Sequence, residues 1–152
     1  MKFAAVVGAR PNFVKVAPIL AELRQRSGIS TTLIHTGQHY DAEMSGGFFA
    51  DLGLPEPDVN LGIRAASSVA QIAEIMARLE PILVAERPDT LIVVGDVNST
   101  LAGALTAVKL GLRVAHVEAG LRSFDRTMPE QINRVITDAL VDLLLIPSAD
   151  AL

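Results

Sequence analysis

The chain has 152 residues, half of them apolar and 20% charged, and its 13 basic and 17 acidic side chains give a net charge of −4. That balance excludes a disordered segment, which needs low hydrophobicity and high net charge, and a tracker of nucleic-acid backbone, which needs a basic surface. The absence of cysteine excludes disulfides, thiolate chemistry and cysteine-based zinc sites.

One domain of this size buries about 68% of its extended-chain surface. With aromatics at 4% and no Trp, its core must be Val, Leu, Ile and Ala. Lys2–Val7 (KFAAVV) reads as a short apolar strand ending at Gly8, and such a run without alternation marks a strand covered on both faces. No signal-peptide pattern precedes it and no apolar run is long enough to cross a membrane, which predicts a cytoplasmic domain without membrane attachment. Asn12 opens a helix to about Arg26, with Pro18 as a kink or restarted turn and Gly28 closing it. Thr31–Thr36 is the second strand, Asp41–Leu52 a short helix, and residues 53–66 a loop with a brief strand at Val59–Leu61. Ser67 or Ser68 caps a long helix whose apolar positions Val69, Ile72, Ile75, Met76, Leu79, Ile82 and Leu83 follow helical spacing, with a bend expected at Pro81. Thr90–Val94 is a strand ending in Gly95-Asp96, Thr100–Leu110 a helix closed by Gly111, and Arg113–Val117 another strand. A loop from about Glu118 to Met128 leads to a helix from Pro129 to about Leu140 and a last strand at Leu143–Ile146.

Strands and helices that alternate throughout predict an α/β domain over residues 1–152, with a doubly wound, mostly parallel sheet. Ligands in such sheets bind beyond the carboxyl ends of the strands. The polar clusters fall there: Gly8–Arg10, His35–His39, Gly95–Ser99 and His116–Arg122. The chain stops at Leu152 soon after a strand, which reads as the first half of something longer.

The familiar phosphate motifs are missing. Gly8-Ala9-Arg10-Pro11-Asn12 is not the G-x-G-x-x-G of dinucleotide sites, and the Gly95 segment lacks the G-K-[ST] of a P-loop. Arg10, Lys15 and a helix N-terminus can hold a diphosphate; the alternative is that Arg10 pairs with a nearby carboxylate and Lys15 is simply exposed. Asp96 sits where a catalytic carboxylate would, or else forms an Asx turn or caps the next helix. Glu118 follows a buried strand, where partial desolvation suits general acid/base duty; the plainer reading is a surface pair with Arg122. His116 reads as an ordinary packed histidine. Glu130 stands three residues after Thr127, which fits a capping box, and Arg134 one turn on can pair with it. The other reading makes Glu130 a second acid/base carboxylate. His35 and His39 lack further metal ligands, so polar contacts are expected there and no metal.

Taken in order, these segments are recognisable. Gly8-Ala9-Arg10-Pro11 with Lys15 and Pro18, Thr36-Gly37-Gln38-His39-Tyr40-Asp41, Gly95-Asp96-Val97-Asn98-Ser99-Thr100, His116–Arg122, and Pro129–Arg134 with Asp138 resemble the amino-terminal half of the non-hydrolysing UDP-N-acetylglucosamine 2-epimerases, end to end. The resemblance implies a Rossmann-like domain that is one half of a two-domain, glycosyltransferase-like (GT-B type) architecture. It implies interconversion of UDP-GlcNAc and UDP-ManNAc through elimination and re-addition of UDP, with no cofactor and no metal. It implies catalytic roles for Asp96, Glu118 and Glu130. Arg10, Lys15, Gln38, His39, Arg122 and Arg134 are the implied substrate-binding residues. The expected partners are a UDP-sugar, a second copy in a full-length homodimer, and a carboxy-terminal domain absent from this chain, without which this chain alone is expected to be inactive or nearly so. A hydrolysing epimerase, a glycosyltransferase half-domain and a non-catalytic nucleotide-sugar-binding domain remain as alternatives.

Overall fold

In the computed structural model, which describes residues 1–37, 46–51, 53 and 56–151, the strands run parallel in the order β3-β2-β1-β4-β5-β6. In chain order the elements are β1 (Lys2–Val7), α1 (Arg10–Gln25), β2 (Ser30–His35), α2 (Gly46–Asp51), β3 (Val59–Asn60), α3 (Ser68–Glu86), β4 (Thr90–Val94), α4 (Asn98–Lys109), β5 (Arg113–Val117), α5 (Pro129–Leu140) and β6 (Leu143–Leu145), followed by one 3₁₀ turn at Ala149–Ala151. This is the strand order of a Rossmann-like sheet; the alternation of elements predicted the doubly wound, mostly parallel sheet but not that order.

Alternation along each central strand sends side chains to two apolar layers. Ala5, Val7, Leu33, Ile92 and Val94 face Phe13, Val16 and Leu20 of α1. Ala4, Val6, Ile34, Leu91, Val93 and Val114 face Ile75, Leu79 and Leu83 of α3 and Ala102, Ala104 and Ala107 of α4. The small residues of α4 let that helix approach closely: a Cβ on Gly103 would stand 3.2 Å from a methyl of Val93. Coverage of both faces therefore holds for the central strands, whereas Leu143, Leu144 and Leu145 of the edge strand β6 are exposed among the described residues.

Several boundaries shift for local reasons. α1 starts at Arg10, two residues earlier than expected, because Pro11 is compatible with the first turn and Asn12 ties the turn together. Pro18 and Pro81 lie within continuous helices, so neither interrupts its element. α4 begins at Asn98 rather than Thr100. Ser67 caps α3, its hydroxyl accepting from the Ala70 amide at 3.1 Å. Val69 is 79% exposed, contrary to its place in the apolar periodicity, since it stands in the first turn before the buried contacts begin at Ile75. The expected helix residues 41–45 and 52 lie outside the described residues.

Leu79 is fully buried where α3 meets the sheet. Leu79→Ala is expected to lower unfolding free energy by about 2–5 kcal/mol, read from urea denaturation followed by circular dichroism.

Candidate active site

β1 and β4 are neighbours, yet the helices that follow them leave to opposite faces of the sheet. That divergence opens a crevice at the carboxyl ends of the strands, where ligands of such sheets bind. The end of β1 carries Gly8, Ala9 and Arg10, the end of β4 carries Gly95 and Asp96, and the end of β5 carries His116 and Glu118.

Asn12 organises the first turn. Its Oδ1 accepts from the Gly8 and Ala9 amides at 3.1 and 3.0 Å, and its Nδ2 donates to the Val94 carbonyl at 3.2 Å. Two amides at this helix start are thus used internally, and Pro11 has none. An anion here would be met chiefly by side chains. Arg10 is exposed in the first turn of α1. Lys15, one turn further, forms an ion pair with Glu118.

Asp96 follows Gly95, whose φ of 72° turns the chain sharply out of the sheet. The expected capping role is not seen: the N-cap of α4 is Val97, without a side-chain cap. The Asp96 carboxylate is instead paired with Arg134 of α5, and its carbonyl accepts from Asn133 Nδ2 at 3.0 Å. Glu118 holds φ at 66°, an unusual conformation for a residue with a side chain. The amides of Glu118 and Ala119 both donate to the Leu145 carbonyl, at 3.0 and 3.1 Å, which fixes that turn. The plain Glu118–Arg122 pair does not form; Arg122 donates to Asp138 at 2.6 Å.

The Thr127–Glu130 capping box is also absent. The amide and hydroxyl of Thr127 donate to Asp125 Oδ1 at 2.9 and 2.6 Å, and those two bonds hold the Asp125 carboxyl below its usual range. α5 therefore starts behind Met128, with Glu130 exposed in its first turn. Arg134, expected to pair with Glu130, is committed to Asp96, and the Glu130 carboxylate has no hydrogen bond or ion pair among the described residues. His116 is more than a packed histidine. It is fully buried, with Nδ1 2.6 Å from Asp138 Oδ1 and Nε2 2.6 Å from the Gly95 carbonyl. Ser99 and Thr100 serve the scaffold: Ser99 meets Thr36 at 2.8 Å and Thr100 donates to the Val94 carbonyl at 2.6 Å. Gln38 and His39 lie outside the described residues.

The structure thus gathers Asp96 and Glu118, each facing a cation, around one crevice. A cavity of about 400 Å³ on the Glu118 side is lined by Lys15, Ile19, Val117, Glu118, Leu145, Ile146 and Pro147. A larger cleft of about 550 Å³, lined by Arg122, Phe124, Arg126, Gln131, Ile132, Val135 and Ile136, lies to the outer side of α5. Sequence reasoning assigned no role to Asn12 or Asn133, nor to Asp138 beyond its place in a matching segment. For Asn12 the available signal was a polar residue on the apolar face of α1; α5 gave none, because its buried residues are the polar Gln131, Asn133 and Thr137 while Ile132, Val135 and Ile136 are exposed. Among the described residues no group of three metal-capable side chains occurs.

An open parallel sheet with carboxylates and cations collected at its switch point defines a Rossmann-like ligand-binding domain. The family model for UDP-N-acetylglucosamine 2-epimerase matches residues 21–152, and the chain belongs to that family, as its amino-terminal domain. It is 50% identical over 151 residues to a UDP-N-acetylglucosamine 2-epimerase homolog of Methanococcus maripaludis, covering 99% of this chain and 42% of that protein. It is 43% identical over 152 residues to the UDP-2,3-diacetamido-2,3-dideoxy-D-glucuronate 2-epimerase of Pseudomonas aeruginosa, covering 100% of this chain and 43% of that one. The crystal structure of Methanocaldococcus jannaschii UDP-GlcNAc 2-epimerase in complex with UDP-GlcNAc and UDP superposes with a TM-score of 0.94 at 46% identity, over 99% of this chain and 41% of that chain. The chain therefore spans about two fifths of the length of these relatives.

His35 lies just behind the crevice, buried against Phe13 at a ring distance of 5.2 Å. Burial lowers its pKa from 6.5 to about 4, against a smaller opposing effect of a hydrogen bond with the Gly8 backbone. Between those values the unfolded chain holds the extra proton, so this contribution to stability is complete above the unfolded pKa and is lost as pH falls toward 4. A loss on the order of 3 kcal/mol is expected across that window. Urea denaturation of the parent and of His35→Leu between pH 7.5 and 4 checks it: the variant should show the shallower dependence.

Proposed function

We propose that this chain is the amino-terminal part of a two-domain, non-hydrolysing UDP-GlcNAc 2-epimerase, which interconverts UDP-GlcNAc and UDP-ManNAc. The observation that carries this reading is the pairing of Asp96 with Arg134 and of Glu118 with Lys15 at the switch point of a chain belonging to this family. The UDP-GlcNAc and UDP held by the Methanocaldococcus jannaschii relative support a UDP-sugar as ligand.

The chemistry asks for what the crevice offers. A carboxylate accepts the C2 proton while the C1–O bond to UDP breaks with its electron pair on oxygen, leaving 2-acetamidoglucal. Return of a proton to C2 on the opposite face, with attack of the UDP oxygen on C1, gives the epimer. Two faces require more than one positioned acid/base group, and Asp96, Glu118 and Glu130 are the three carboxylates for that work. C2–H is a weak acid, so stabilisation of the leaving diphosphate must share the barrier. Arg10, Lys15 and Arg134 supply positive charge where it develops, with Arg122, Gln38 and His39 as further substrate contacts. Lys15 and Arg134 orient Glu118 and Asp96, and an arriving diphosphate competes for the same cations.

A second reading concerns the sugar. The similarity to the Pseudomonas aeruginosa enzyme is nearly as high as that to the Methanocaldococcus jannaschii enzyme, which favours testing a UDP-2,3-diacetamido-glucuronate alongside UDP-GlcNAc.

The test is turnover by a hybrid in which this chain replaces the matching amino-terminal segment of the Methanocaldococcus jannaschii relative. Interconversion of UDP-GlcNAc and UDP-ManNAc without release of free ManNAc is the expected result. Asp96→Asn, Glu118→Gln and Glu130→Gln should each lower kcat by about 10²–10⁴-fold. Retained turnover in all three would mean that these carboxylates take no part in proton transfer. Preference for the diacetamido sugar would select the second reading, and robust epimerisation by the 152-residue chain alone would contradict its role as one half of the enzyme.

A further inference from the structure

On the reading just given, we infer that Asp138, acting through His116, is a positioning residue that holds Asp96 and Glu118 in register with each other. The Asp138 side chain is only 5% exposed, and two of its three contacts lead toward the crevice. One oxygen meets His116 Nδ1 at 2.6 Å. The other accepts from the Gly120 amide at 3.0 Å and from Arg122 at 2.6 Å.

Two of these three contacts end beside a candidate catalytic carboxylate. Gly120 is two residues beyond Glu118, in the turn where Glu118 takes its left-handed conformation. His116 passes the contact on, since its Nε2 reaches the carbonyl of Gly95, the residue before Asp96. Asp138 also lies one turn after Arg134, which pairs with Asp96, and two turns after Glu130, so the three share one stripe of α5. One buried carboxylate thus fixes the spacing between α5, the end of β4 and the turn after β5. A displacement of about 1 Å in such a constellation can cost about 100-fold in rate.

The hydrogen bonds tell positioning from charge. A carbonyl only accepts, so Nε2 donates to Gly95, and Nδ1 is the nitrogen that faces Asp138. An asparagine at 138 can keep the same connections: its carbonyl accepts from Gly120 and Arg122, and its amide donates to an unprotonated Nδ1 while Nε2–H still serves Gly95. Geometry then survives without the charge.

The experiment uses the hybrid enzyme, with kcat and KM measured separately for Asp138→Ala, Asp138→Asn and His116→Phe. His116→Phe keeps a buried ring but deletes the bond to Gly95. The expected result is a fall in kcat of about 100-fold for Asp138→Ala and His116→Phe, with KM changed by less than about threefold in His116→Phe, which leaves the Arg122 contact in place, and a kcat for Asp138→Asn within about tenfold of the parent. Circular dichroism and thermal melting report whether each variant is folded; if Asp138→Ala is not, His116→Phe decides. Folded variants that retain parental kcat would overturn the inference, as would Asp138→Asn as impaired as Asp138→Ala, or loss of the fold in both deletion variants. An inactive unsubstituted hybrid beside an active parent relative would instead overturn the functional reading, and this inference with it.

Discussion

The carbonyl groups of Val94, Gly95 and Asp96 leave the sheet one after another at the end of β4, and each is caught by a side chain from another element. Val94 accepts from Asn12 of α1 and Thr100 of α4, Gly95 from His116 of β5, and Asp96 from Asn133 of α5. Leaving one such buried acceptor unmet costs about 1–3 kcal/mol, so the corner holds the surrounding elements to one arrangement. Asp96 projects from that corner, and the Asp138 contacts extend the same bracing to the turn that carries Glu118. The crevice is therefore rigid where carboxylates must be placed, while its ion pairs with Lys15 and Arg134 remain partly exposed and open to a competing anion.

Much of this was legible in the sequence because it is written locally. Apolar runs closed by Gly8 and Gly95 mark strands, Ser67 marks a helix start, and a polar residue directly after a buried strand marks the crevice edge; Asp96 and Glu118 were found by that rule. What failed was the choice of partner. Spacing along the chain offered Glu118 to Arg122 and Glu130 to Arg134, both four residues apart. The folded protein pairs Glu118 with Lys15, 103 residues away, and Arg134 with Asp96, 38 residues away. Sheet order decides those pairings, and sheet order is not encoded in any local window. Thr127 was likewise misread because Asp125, two residues before it, competes for its amide and hydroxyl.

The modest net charge fits this arrangement. Lys15 and Arg134 at the crevice are each matched by a carboxylate, whereas a nucleic-acid backbone would require a basic surface. The same economy appears in α4, whose Ala and Gly residues bring the helix close to β1 and β4 and so hold the β4 corner against the sheet.

The most direct measurement is the position of solvent hydrogen in the product. When the hybrid enzyme turns over UDP-GlcNAc in D₂O, each molecule of UDP-ManNAc formed should carry deuterium at C2, because the proton removed from one face is replaced from the other. Epimer formed with C2 still carrying its original hydrogen would contradict proton transfer by the carboxylates gathered at this switch point.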